Sequence, residues 1–413
     1  MKYPITPAYL ANCPDPLIAL FTGLEDDIIK AICEQLKVAG EANATTLELI
    51  RQLQRGGMKL SDIEKRIKKT LKLSDAQLDA ILDDAVARNN SFYKTTYDKM
   101  GLLFEQAQTA QFKADIEAIR AQTHEAMRNL TQSMGFGMRG IDGSITISPV
   151  QETYQKILDK ALVKVTTGTE SYEVAIRDGV REMANSGLVG EWVEYRDEQG
   201  EVYHRNRVDV AVRRAVMTGV TQISGKYTEQ AAKDFETPYR EVSAHRGARD
   251  KGTGWQNHKA WQGKVYSIKA GDKYPSIYAV CGLGEVDGLE GANCRHLHFP
   301  FIEGVSERTY TDEELANIDT PPFTFEGRKY TAYEATQKQR QIERALRAVK
   351  RRLIAFKAAG DTEAYTADAV RYKRLNEAYK AFSKAAGLPE QLERSFIEGF
   401  GAKEARDALK AAG

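Results

Sequence analysis

Histidine and cysteine side chains that could do chemistry are concentrated in one stretch of the 413-residue sequence. Of the six histidines and four cysteines in the chain, four histidines and two cysteines lie between residues 245 and 298. They are His245, His258, Cys281, Cys294, His296 and His298. Imidazole and thiolate groups bind zinc well, and the same groups also serve as bases and nucleophiles. This stretch is therefore the first candidate for a functional site.

One interpretation of the stretch is a zinc site. A tetrahedral ion would take four ligands from Cys281, Cys294, His296 and His258, with His245 as an alternative to His258. The chain has no Cys-x-x-Cys pair to anchor such a site. If residues 295–299 form a strand, His296 and His298 point to the same side of it. No cofactor is expected, and zinc is the alternative that these residue types allow.

A second interpretation is catalysis by a metal-dependent or cysteine-based hydrolase or nuclease. Cys294 could act as the nucleophile with a histidine as its base. His245 and His258 could instead form an acid–base pair while Arg249 holds a phosphate. The residues that would carry such a reaction are His245, Arg249, His258, Cys294 and His296.

The third interpretation is structural, and we favour it. A small core would be supplied by Trp261, Tyr266, Phe299 and Phe301. The histidines and Arg249 would hydrogen-bond the backbone of glycine-rich loops. The glycines at positions 282, 284 and 288 do not follow the GxGxxG spacing of a phosphate-binding loop. They predict a flexible surface loop.

The elements before this stretch are predicted to be helical. Apolar residues recur at three- and four-residue spacing, as in Ile28, Ile32 and Leu36. Ser61 and Ser74 stand before such patterns and are predicted helix N-caps. Glycines cluster in residues 136–149, which a helix would resist, so a linker is predicted there after an N-terminal helical domain of residues 1–135.

The rest of the chain is predicted to contain two helical regions separated by a small α+β module. Residues 150–235 form a second helical segment, interrupted by a hairpin that turns at residues 197–200. In residues 236–315 the helical periodicity is lost, and short β-prone pieces alternate with turns, which predicts a small α+β module. Residues 316–413 are predicted to contain a basic helical hairpin with a break at Gly360 and Asp361. The expected fold class is α+β and predominantly helical.

Basic residues dominate the first helix of that hairpin. Residues 328–352 contain nine basic and two acidic side chains, so their local net charge is nine minus two, or +7. The candidate binding residues are Arg340, Arg344, Arg347, Lys350 and Arg351. The four arginines recur at intervals of four, three and four residues, which aligns them on one helix face that could follow a phosphate backbone or an acidic protein surface. The alternative is a solvated face opposite a buried stripe of Ile342, Leu346, Val349 and Leu353.

Composition limits the partners and the compartment. The 59 basic and 58 acidic residues leave a net charge of +1, so no global charge drives the chain onto nucleic acid or an anionic membrane. The cysteines are too few for a disulfide framework, and the first residues lack the pattern of a signal peptide. No apolar run approaches the roughly 20 residues of a membrane helix. We expect no membrane partner and a reducing cytoplasm as the place of synthesis.

Four segments of the sequence resemble those of a known protein family. The strings AHRGARD, HKAWQGKVYSI and GLEGANCRHLHFPF, followed by YEATQKQRQIERALRAVKR, resemble the phage minor capsid protein 2 family, which is related to head morphogenesis proteins of the Mu F type. The resemblance is specific over about residues 242–352 and marks residues 236–315 as a Mu F-like module. The matching positions are His245, Gly247, Ala248, Arg249, His258, Trp261, Gln262, Gly263, Asn293, Cys294, Arg295 and His296.

This resemblance implies a minor structural protein of a tailed-phage head. Such a protein is made in the bacterial cytoplasm and located in the virion or procapsid. Its implied partners are portal and capsid proteins, with double-stranded DNA as a further candidate, during head assembly or DNA delivery. It requires no catalytic step, and the alternative is a hydrolase or nuclease carried in the particle.

Overall fold

The periodic apolar segments of the sequence form helices. In a computed structural model, the described residues are 3–41, 60–132, 134–139, 145–148, 153, 156–157, 159–160, 163–164, 167–189, 191–196 and 201–413. The helices before the first sheet are α1 (Pro7–Asn12), α2 (Asp15–Glu41), α3 (Leu60–Lys99), α4 (Phe104–Ala107) and α5 (Ala110–Gln132). Helices predominate over short strands, so the predicted fold class is confirmed.

Helix α3 is longer than the sequence pattern predicts. It contains both Ser61 and Ser74, so the prediction that Ser74 starts a new helix is wrong. The hydroxyl of Ser74 donates to the carbonyl oxygen of Leu71 at 2.7 Å, a bond that a serine can make inside a helix. No glycine or proline occurs between Leu60 and Lys99, so nothing in the sequence breaks the helix there.

A four-stranded antiparallel sheet occupies the middle of the chain. Its strands are β1 (Met134–Arg139), β2 (Ile145–Ser148), β3 (Glu191–Arg196) and β4 (Val202–Arg207), in the order β2-β1-β3-β4. Helix α6 (Tyr172–Val189) lies against β1. The β3–β4 pairing confirms the predicted hairpin, although its turn at residues 197–200 lies outside the described residues.

Strands β1 and β2 fall where the glycine content predicts a linker. Phe136 pairs with Ser148 and Arg139 with Ile145. Glycine disfavours a helix strongly, but Phe136, Ile145 and Ile147 have the side chains that strands prefer. The glycine argument therefore excluded a helix without excluding a strand.

The region from residue 208 to residue 330 contains a long helix and the small strands. Helix α7 (Val208–Asp234) leads into β5 (Tyr239–Val242), which pairs antiparallel with β6 (Val265–Ser267) and β7 (His298–Phe301). The short helices are α8 (His258–Trp261), α9 (Ile277–Cys281) and α10 (Asp312–Ala316). Strands β8 (Phe323–Phe325) and β9 (Arg328–Tyr330) form a hairpin. The α+β character expected between residues 236 and 315 is present.

The C-terminal region contains the predicted helical hairpin. Its helices are α11 (Ala332–Ala359) and α12 (Thr362–Ala386), followed by α13 (Ala402–Ala411). Gly360 has a left-handed φ of 74°, and Asp361 caps α12. Gln339 contacts Ser383 and Glu343 contacts Tyr379, each at 3.0 Å. Because the contact positions advance along α11 as they retreat along α12, the two helices are antiparallel.

The chain divides into two compact units, each drawn from three separate stretches. The first comprises residues 1–16, 75–128 and 212–338, and the second comprises residues 17–74, 129–211 and 339–413. In the second unit, Leu24, Ile28, Val180, Met183 and Phe356 belong to one buried core. The five consecutive segments expected from the sequence stay a prediction.

Among the described residues, no helix combines the length and the apolar character that crossing a membrane requires.

Candidate functional site

The clustered histidines and cysteines are positioned by short elements of the first unit. His258 is the first residue of α8, and Gln262 follows the last residue of that helix. Cys294 and His296 lie in the loop between α9 and β7. In that loop Asn293 adopts a left-handed φ of 60°, a conformation that asparagine tolerates better than most residues.

The glycine-rich part of this loop is tightly packed. A Cβ atom added at Gly288 would lie 2.0 Å from the carbonyl oxygen of Gly282. Leu289 is fully buried, and its N–H donates to the carbonyl of Cys281 at 2.8 Å. The prediction of a flexible surface loop is therefore wrong at Gly288, where glycine is needed because two backbone segments approach closely.

Three side chains converge in the interior of this unit. The Sγ of Cys294 lies 3.6 Å from Nδ1 of His258 and 3.5 Å from Nδ1 of His296. All three residues are buried, and their potential ligand atoms lie within 4.8 Å of one another. Three of the four residues predicted as zinc ligands are thus neighbours in space, and we call them the Cys294 triad.

The outer ring nitrogens of both triad histidines face carbonyl oxygens. Nε2 of His258 lies 2.9 Å from the backbone oxygen of Asp287, and Nε2 of His296 lies 3.0 Å from Oε1 of Gln262. Oε1 of Gln262 also accepts the backbone N–H of His245 at 3.0 Å. Carbonyl oxygens only accept hydrogen bonds, so each Nε2 carries the hydrogen. In a neutral imidazole, each Nδ1 then presents a lone pair toward Cys294.

His245 adds a third imidazole beside the triad. Its ring stacks on that of His296, with 4.4 Å between centroids and 24° between planes. Burial and the Arg295 charge lower the pKa of His245 to about 3, and burial lowers the pKa of His258 to about 4. Burial and the neighbouring His245 lower the pKa of His296 well below its ordinary value. All three rings are therefore neutral near pH 7.

The thiol of Cys294 is also in its neutral form. Its side chain is only 5% exposed, and burial raises the pKa of the thiol to about 11. Nucleophilic cysteines carry a thiolate, which needs a lowered pKa and access for a substrate. Because the Cys294 thiol is buried and neutral, the triad is suited to buried hydrogen bonding or to binding a cation.

Arg249, which the catalytic interpretation assigned to a phosphate, contacts the protein itself. Its Nη1 donates to the backbone oxygen of Asp287 at 3.2 Å. The carboxylate of Asp287 accepts from Nε1 of Trp255 at 3.0 Å and from Nε2 of Gln256 at 2.6 Å. Asp287 thus joins Arg249, His258 and the Gly254–Gln256 turn, a role that the sequence does not signal.

Cys281 and His298 have other surroundings. Cys281 is packed in the apolar core of this unit, where burial raises its pKa, and it is outside the Cys294 triad. His298 contacts Glu290 at 2.8 Å and Glu229 at 3.2 Å. Burial alone would lower the pKa of His298, but these two carboxylates raise it to about 9. Strand β7 begins at His298, so His296 does not share a strand face with it.

The basic residues singled out in the sequence lie on α11. Arg344 is exposed, Arg340 is partly exposed, and the predicted apolar stripe is buried. The other three residues contact acceptors of the second unit. Arg347 pairs with Asp209 at 2.8 Å, Lys350 donates to the Ser395 carbonyl at 2.6 Å, and Arg351 pairs with Asp26 and, at 2.9 Å, with Glu25. These three side chains therefore stabilise the fold. Neither interpretation of the sequence, a binding face or a solvated face, predicted this role.

Comparisons with known proteins find phage structural proteins similar to most of this chain. Residues 5–384 match the family model described as phage minor capsid protein 2. A "Structural protein" of Lactococcus phage LL-H is 24% identical over 350 residues, covering 82% of this chain and 85% of that protein. A "Structural protein" of Lactococcus phage mv4 is 31% identical over 130 residues, covering 30% of this chain and 93% of that protein. No solved structure matches this chain. Because the family match spans nearly all of the sequence, this chain belongs to the phage minor capsid protein 2 family.

Proposed function

We propose that this protein is a structural component of the phage head that acts by binding other head proteins. The observation that carries the proposal is the family match over residues 5–384. The relative from phage LL-H, itself described as a structural protein, aligns over most of both chains, which supports a shared role of the whole protein. The proposed location is the virion or procapsid, and the proposed partners are portal and capsid proteins.

Partner identity is tested by cross-linking mass spectrometry on intact procapsids. We expect cross-links from this chain to the portal protein or the major capsid protein. A matched preparation that lacks the portal protein separates the two partners. Particles in which the chain is absent, or is linked to neither protein, would contradict the proposal.

The proposed role needs no catalytic step. Cys294, His258 and His296 are buried, and their outer ring nitrogens are engaged by backbone and side-chain carbonyls. A substrate would have to displace this packing before it could reach the sulfur. The burial of the triad therefore supports a role in maintaining the fold.

The alternative of a hydrolase or nuclease predicts a different result for His245 and Arg249. Phage complemented with His245→Gln or Arg249→Gln should incorporate the chain and remain infectious if the role is structural. Normal incorporation with lost infectivity would favour the enzyme. Incorporation is measured by immunoblotting of purified heads, so a folding defect is detected separately from a catalytic one.

Contact with packaged DNA is a narrower proposal that rests on Arg340 and Arg344. Arg344 is exposed and Arg340 partly exposed on the same helix. Two phosphate contacts would contribute a slope of about −1.8 to the logarithm of affinity against the logarithm of salt concentration. We expect the full chain to bind duplex DNA at low salt and the double variant Arg340→Gln, Arg344→Gln to lose that slope. If the wild-type chain does not bind duplex DNA at low salt, DNA is excluded as a proposed partner.

A further inference from the structure

We propose that Nδ1 of His258, Sγ of Cys294 and Nδ1 of His296 bind one divalent cation of the zinc class. The site lies within the first unit and is independent of the proposed binding of head proteins. Cys281, the fourth residue predicted as a ligand from the sequence, is not part of the proposed site.

The distances in the triad match those of a zinc site. Zinc binds thiolate sulfur at about 2.3 Å and imidazole nitrogen at about 2.0–2.1 Å in a tetrahedral arrangement. Two such ligands at the tetrahedral angle lie about 3.6 Å apart. The sulfur of Cys294 lies 3.6 Å from Nδ1 of His258 and 3.5 Å from Nδ1 of His296. Both sulfur–nitrogen distances thus suit a shared ion, and the three ligand atoms lie within 4.8 Å of one another.

The hydrogen-bond donors in the triad are too few without a cation. Both Nδ1 atoms present lone pairs to Cys294, because the Nε2 atoms carry the ring hydrogens. The Cys294 thiol has one hydrogen and can donate to only one of the two nitrogens. The other buried lone pair would have no donor from the sulfur, which is costly in a protein interior. A cation bound by the thiolate satisfies both nitrogens together.

The surroundings of the two histidines resemble those of metal ligands. A histidine that binds a metal usually donates its other ring N–H to a carbonyl or carboxylate, which fixes the tautomer and the orientation of the ring. His258 donates to the Asp287 backbone and His296 to the Gln262 side chain. Gln262 is itself buried and held by the backbone N–H of His245. The second shell needed to aim both Nδ1 atoms is thus present.

The ligand types select the metal class. One sulfur and two imidazoles suit Zn²⁺ and, in the laboratory, Co²⁺, whereas Mg²⁺ and Ca²⁺ prefer oxygen ligands. Three protein ligands leave one tetrahedral position for a water molecule. Bound there, the ion would join α8 to the loop that precedes β7, a structural role in a region built of short elements.

The test uses the full-length wild-type chain, depleted of metal and kept reduced. We expect Co²⁺ titration to saturate at one equivalent and to give the sulfur-to-cobalt charge-transfer band and the visible bands of a tetrahedral site. Zn²⁺ should displace Co²⁺ and abolish these bands. A chain that develops no charge-transfer band and retains no zinc after dialysis would overturn the proposal, without reliance on any variant.

Variants then identify the ligands. Cys294→Ser should abolish the charge-transfer band, and His258→Ala or His296→Ala should weaken Zn²⁺ binding by more than about 100-fold, since second-shell changes alone cost 10–100-fold. Cys281→Ser is the matched control, because Cys281 is a buried thiol of the same core. It should keep one equivalent of metal. Loss of metal from Cys281→Ser with retention in Cys294→Ser would overturn the assignment.

Discussion

The guanidinium of Arg351 binds the carboxylate of Asp26, which lies 325 residues earlier in the chain. Glu25 contacts the same guanidinium at 2.9 Å, and all three side chains are almost completely buried. Burial raises the pKa of Asp26 to about 7, with Arg351 opposing the shift and Glu25 adding to it. One cation therefore holds two buried acids of α2 against α11 in the second unit.

Replacing this cation should destabilise the second unit strongly. Arg351→Met leaves both carboxylates buried without their partner, and we expect the free energy of unfolding to fall by about 3–5 kcal/mol. The control is Lys357→Met on the same helix, whose ion pair with Asp407 is half exposed. Its loss should cost less than about 1 kcal/mol. Urea unfolding followed by circular dichroism compares the two, and equal losses would contradict the buried role of Arg351.

Lys350 should make stability depend on pH. Burial lowers its pKa to about 8, whereas a lysine in the unfolded chain titrates near 10.4. Between these values the unfolded chain binds more protons, so this residue should make the folded state more stable as pH rises, by up to about 3 kcal/mol. Unfolding free energies at pH 8 and pH 10 for wild type and Lys350→Met measure the contribution. A difference between the two proteins that does not change with pH would show that the folded state does not lower the pKa of Lys350.

Gly263 should tolerate a methyl group poorly because of its neighbours. Its φ is +71°, and an added Cβ would meet a methyl carbon of Leu315 at 2.3 Å. Gly271 has the same φ of +71° with nothing within 4 Å, so it provides a control for backbone strain alone. We expect Gly271→Ala to lower the free energy of unfolding by about 1 kcal/mol. Gly263→Ala should lower it by about 1 kcal/mol more, because the Leu315 side chain must turn aside and the Cβ of Ala244 lies 3.2 Å away. Thermal unfolding of both variants tests this, and equal shifts in Tm would rule out the steric contact.

Gln262 should contribute to stability through its shared oxygen. Gln262→Leu removes the acceptor for His296 Nε2 and for the His245 backbone N–H. The buried His296 donor is then unsatisfied at about 1–3 kcal/mol, and the partly buried His245 donor adds a smaller loss. The exposed Gln256 is the control, because Gln256→Leu leaves only groups that water can reach. Chemical unfolding compares the variants, with a larger loss expected for Gln262. A similar loss in both would mean that the shared oxygen is not needed.

The sequence predicts the helices well and the candidate site only in part. Helical periodicity reflects burial of one face, so the stripe ending at Leu353 was recognisable from spacing alone. The residue types near His296 also marked the region of the site. Cys281 was grouped with the ligands because nearness in sequence does not show which thiol points toward the imidazoles. Gln262 has an ordinary residue type, and its acceptor role depends on contacts that form only in the folded chain.

The basic face of α11 illustrates the same limit. The spacing of Arg347 and Arg351 correctly indicates one side of a helix, but spacing does not reveal what covers that side. The acids that neutralise these residues come from Asp209 and from α2, far away in the sequence. A charge count over a local segment scores such residues as excess positive charge, although acids from distant segments pair with them in the folded protein.

The separation between Asp26 and Arg351 also bears on how the chain matures on the ribosome. Arg351 is added 325 residues after Asp26, which takes roughly 16–65 s at roughly 5–20 residues per second. During that interval the acids of α2 have been made but their cation has not. The second unit therefore cannot complete its fold before Arg351 has been synthesised, so a chain truncated ahead of this residue would lack the ion pairs that join α2 to α11.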